Sequence, residues 1–108
     1  MTKVKIEPGV CGFVAQVEAV GDEDTGEVTL TVRSGCAAVC KMMETVGTTF
    51  DSMELCLCKP GKDPLHAYAG EHFPVHGSCP VIAGILKCAE VEAGLALKKD
   101  CSIRFLDE

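Results

Sequence analysis

The chain has 108 residues, enough for one domain over residues 1–108 and too few for a second core. Apolar residues make up 47% and charged residues 24%, a balance that excludes a disordered or collagen-like chain. The net charge of −6, with no basic cluster, no Trp and one Tyr, argues against nucleic-acid and membrane partners. A protein partner or a second copy of the chain is expected instead.

The longest apolar run, Val81 to Leu86, is too short to span a bilayer, and the start MTKVKIEPG lacks the apolar stretch of a secretory signal. A cytoplasmic location is therefore expected. Lys3 to Ile6 reads as a short strand before the Pro8-Gly9 turn. From Cys11, residues Cys11, Phe13, Ala15, Val17 and Ala19 alternate with polar ones, which predicts a half-buried strand. The acidic turn Gly21–Gly26 leads into a second strand with Val28, Leu30 and Val32 inward, and the two make a hairpin.

Ser34-Gly35 opens a short helix with Cys36, Val39, Cys40, Met43 and Val46 on one face, ending at Gly47. Asp51 to Cys58 alternates again, in the manner of a short strand, and Lys59 to His76 reads as a long loop holding all three histidines. Pro80, with Ser78 or Cys79 as cap, starts a helix that runs through VIAGILKCAEVEAGLAL. Asp100 to Leu106 returns as a strand with Cys101, Ile103 and Phe105 on one face. The fold class is α+β: a two-layer sandwich, mainly antiparallel sheet, two helices on one face, in the order β-β-α-(β)-α-β.

Eight cysteines in a chain with a full apolar core point to metal, redox chemistry or packing more than to a disulfide scaffold. Cys88, in mid-helix, and Cys101, in the last alternation, read as small buried hydrophobes. Cys40 is either core or the neighbour of a site. The other five lie where elements begin or end. Cys36 and Cys79 stand at helix starts, where the dipole and free N–H groups favour a thiolate. Cys11 opens a strand, and Cys56 and Cys58 form a C-x-C. Four such thiolates suit a tetrahedral zinc site or hold an iron–sulfur cluster, although no paired C-x2-C knuckle is present.

The runs Ile6–Cys11, Ser34-Gly35-Cys36, Leu55-Cys56-Leu57-Cys58 and Gly77-Ser78-Cys79-Pro80 together resemble the TSCPD cysteine domain, or a closely related uncharacterised stand-alone prokaryotic family. The TSCPD domain occurs alone and as a C-terminal appendage of cobalamin-dependent ribonucleotide reductases. The resemblance implies metal ligands at Cys11, Cys36, one of Cys56 or Cys58, and Cys79. Here the last motif lacks the family's Thr and Asp, and the segment before it is longer, adding His66, His72 and His76. His76, three residues before Cys79, is the best placed of these as an extra ligand; the plain reading of all three is an exposed loop histidine.

The acids of the first turn lack the register of an EF-hand. No G-x-S-x-G, P-loop or dinucleotide fingerprint supports a hydrolase, kinase or dehydrogenase. The expectation is a non-catalytic metal-binding module, with zinc ahead of an iron–sulfur cluster. A thiol redox protein using Cys36 or Cys79, and an interaction domain with buried thiols only, are the alternatives.

Overall fold

The computed structural model describes residues 1–72 and 77–107. The alternating runs at the start of the chain form an antiparallel meander of β1 (Thr2–Ile6), β2 (Ala15–Asp22) and β3 (Glu27–Ser34). A short β4 (Thr49–Asp51) joins the free edge of β3. Val17 pairs with both Val4 and Val32, and Ala15 with both Ile6 and Ser34. This register puts Ile6, Ala15, Val17, Ala19, Val28 and Leu30 on one face, where all are buried. Lys3, Lys5, Gln16, Thr31 and Arg33 face solvent on the other.

Two helices of three turns cover the apolar face. In α1 (Ala37–Val46) the buried residues are Val39, Met42 and Met43, a stripe at helical spacing. The helix ends as expected at Gly47, whose φ of 98° is open to glycine and whose N–H donates to Met43 O at 3.0 Å. The expected face is turned by one position: Met42 is buried and Cys40 exposed.

The longest helix among the described residues, α4 (Val81–Glu92), crosses β1, β2 and β3 on Val81, Ile82, Ile85, Cys88 and Ala89. It runs antiparallel to β1. Gly84 lies against Ile6, Cys88 Sγ donates to Thr2 O at 3.3 Å, and Glu92 accepts from Thr2 Oγ1 at 2.7 Å. Its cap is Pro80, not Ser78 or Cys79, and it stops at Glu92 before Gly94 (φ 75°), short of the expected Leu97.

Three further expectations are corrected. The alternation after Asp51 is a helix, α2 (Ser52–Cys56), because Asp51 caps it by accepting from Glu54 N at 3.0 Å. The Lys59–His76 loop contains α3 (Pro64–His72), so His66 and His72 are helical, while His76 lies outside the described residues. The C-terminal strand does not form. Residues 95–107 carry no regular structure, with Ile103 89% and Phe105 101% exposed, and Cys101 is exposed where burial was expected. Among the described residues no helix is long and apolar enough to cross a membrane.

Candidate functional site

The chain folds so that three of the expected ligands leave or enter the sheet at one end. Ile6, Ala15 and Ser34 are paired across β1, β2 and β3 at that end. Cys11 lies in the turn joining β1 to β2, where Gly9 and Gly12 take φ of 102° and 72°. Phe13 of the same turn covers Gly35, bringing it beside the start of α1. Cys36 is the N-cap of α1, with its N–H donating to Ser34 Oγ at 3.0 Å. Cys79 immediately precedes the first turn of α4, which begins at this end because Gly84 faces Ile6.

These thiols therefore come from three segments that lie toward one end of the sheet. Two of them stand at the positive ends of the two long helices. Cys36 and Cys79 are half-buried and Cys11 is exposed. Among the described residues, no three Cys, His, Asp or Glu side chains stand close enough together to ligate one ion. The convergence is one of segments, not of assembled ligands.

The Cys56/Cys58 pair belongs to a different place. With Asp63, His66, Leu55 and Leu86 it lines a cleft of about 180 Å³ between α2, α3 and α4. Asp63 is 2% exposed and organises the α3 side of this cleft. Its Oδ2 accepts from Leu65 N at 3.1 Å and His66 N at 3.0 Å, capping α3, and its Oδ1 lies 2.6 Å from His66 Nδ1. An ionised carboxylate only accepts, so Nδ1 carries the proton in this contact, and in the neutral ring Nε2 is then the acceptor. Burial, aided by Glu90, Cys58 and Asp63, pushes the Cys56 thiol up to about 11. Cys56 is thus held as a neutral thiol at neutral pH.

Residues 2–105 match the model of a family of unknown function (DUF6951). The chain belongs to that family. No curated protein and no solved structure matches it. The match spans the sheet, the four helices among the described residues and most of the C-terminal tail.

Hydrophobic periodicity does not point to the Asp63–His66 contact. Its signal was available: Asp63 followed by Pro64 is a helix start, and His66 three residues on falls on the first turn beside the capping carboxylate. Cys88 is buried as expected, with Sγ also 3.7 Å from Val17 O, and it has no part in either grouping. Cys40 spends its thiol locally on Ser34 O, at 3.3 Å.

Proposed function

We propose that the chain is a small, non-catalytic metal-binding module in which Cys11, Cys36 and Cys79 supply three thiolates to one zinc ion. One observation carries the reading: these three cysteines sit on the segments that converge at one end of the sheet. The two helix starts favour thiolate there, and soft thiolates select zinc over hard cations. A closed structural site needs a fourth ligand, which would come from outside these three segments or from a second copy of the chain. The cysteine layout of the TSCPD domain supports the same three positions. It also names Cys56 or Cys58 as a fourth, but that pair lines the separate α2–α3 cleft.

Zinc binding here draws the exposed Cys11 turn onto the half-buried Cys36 and Cys79. That ties the β1–β2 turn to both long helices and adds to the stability of a small core. A reducing, cytoplasmic setting suits eight cysteines that are all free thiols in the structure.

The test is elemental analysis and an absorption spectrum on protein purified without oxygen. One zinc per chain, lost in Cys36→Ser and Cys79→Ser and kept in Cys88→Ala, is the expected result. Iron with a brown absorbance would replace zinc by a cluster on the same thiols. No metal, with all eight thiols titrating freely after unfolding, would remove the metal function altogether.

A further inference from the structure

We propose that Cys56 and Cys58 are a reversible redox pair, closing to an intrachain disulfide by exchange with a low-molecular-weight disulfide such as oxidised glutathione. The pair is separate from the three thiolates of the zinc reading, so either proposal stands without the other.

Backbone geometry brings the two cysteines together. Cys56 is the last residue of α2, and Leu57 after it has φ −110° and ψ 68°, a tight bend rather than an extended link. Such a bend sets the flanking Cα atoms about 6 Å apart, inside the 4.4–6.8 Å span over which disulfides close. Leu57 is 58% exposed, while both cysteines line the α2–α3 cleft, so the two thiols share one side of the bend.

Their surroundings differ in a way that orders the chemistry. Cys58 is exposed and open to an incoming disulfide, whereas Cys56 is half-buried behind it. The Cys58 thiolate attacks one sulfur of the disulfide, the S–S bond breaks, and one glutathione thiolate leaves and takes up a proton. Cys56, a neutral thiol until then, gives up its proton to solvent and attacks Sγ of Cys58; the Cys56–Cys58 bond forms, the mixed-disulfide S–S bond breaks, and the second glutathione leaves and takes up a proton. Two protein thiols lose two electrons and two protons; one small disulfide gains both. His66, held by the Asp63 carboxylate at Nδ1, lines the same cleft.

The chain itself supplies a clean readout. The tryptic peptide Met42–Lys62 contains Cys56 and Cys58 and no other cysteine. After the metal-free, full-length protein is incubated with oxidised glutathione, that peptide should be lighter by two hydrogens. Reduction with dithiothreitol should restore it. Cys56→Ser should instead hold a lasting glutathione adduct on Cys58, since nothing is left to resolve it. Two free thiols in the wild-type peptide, a lasting adduct on the wild-type protein, or a bridge from either cysteine to another peptide would each overturn the proposal.

Discussion

Gly84 of α4 and Ile6 of β1 meet with no room for a side chain between them: a Cβ on Gly84 would overlap the Ile6 side chain. This contact sets how closely α4 lies on the sheet, and through it the position of Cys79 relative to the β1–β2 turn. Gly84→Ala gains helix propensity of about 1 kcal/mol, but the added methyl must displace a core residue, at a cost of about 1–3 kcal/mol or more. The expected result is a net loss of stability in urea unfolding. An unchanged or raised midpoint would mean that Ile6 turns aside freely.

The sheet and the two long helices were legible because each writes its burial into a regular period. Val17 and Ala19 alternate with Gln16 and Glu18, and Val39, Met42 and Met43 follow the helical spacing. The short helices escaped because they are set by caps, not by periodicity. Asp51 and Asp63 each hold a helix of nine residues or fewer, and Met53, Leu55 and Leu57 happen to alternate where α2 lies. Parity misled at the C-terminus for the opposite reason. Cys101, Ile103 and Phe105 alternate like a strand, but the described residues leave β1 and β4 as the edges of the sheet, without this segment. Of the expected ligands, the helix starts at Cys36 and Cys79 were readable from Ser34-Gly35 and Pro80. The separate setting of Cys56 and Cys58 was not, since it depends on α3.

Cys88 and Cys101 looked alike in sequence and should now behave differently. Cys88 is fully buried with its one S–H in reach of two strand carbonyls, so Cys88→Ala removes both packing and a weak donor. A loss of about 1–2 kcal/mol is expected. Cys101→Ala changes an exposed thiol and should fall within about 0.5 kcal/mol of wild type. Paired denaturation curves check both, and equal losses would restore the C-terminal strand.

Glu92 predicts an acid-sensitive clasp. Its carboxylate accepts from Thr2 Oγ1 at 2.7 Å and Gly21 N at 2.9 Å, and the N-terminal amine lies 3.6 Å away. The Thr2 hydroxyl first, then the Gly21 N–H and the amine, hold its carboxyl below the usual glutamate range. A depressed folded pKa favours the native state above the unfolded pKa, and that contribution fades as pH falls through the folded value. Wild type should therefore lose more stability than Glu92→Gln on acidification below about pH 4.5, the ordinary glutamate range. Parallel profiles of Tm against pH would show that the clasp adds nothing.

Asp63 predicts a tautomer change that leaves the fold largely intact. In Asp63→Asn the side-chain oxygen still accepts from Leu65 N and His66 N, so α3 keeps its cap at a cost of about 1 kcal/mol or less. The amide nitrogen then faces His66 Nδ1 in place of Oδ1 and donates to it. The ring must move its proton to Nε2, turning that atom from acceptor into donor within the cleft. Imidazole nitrogen shifts from NMR above the histidine titration range read the tautomer directly. The wild type should show the proton on Nδ1 and the variant on Nε2. The same tautomer in both would mean that Asp63 caps α3 without orienting His66.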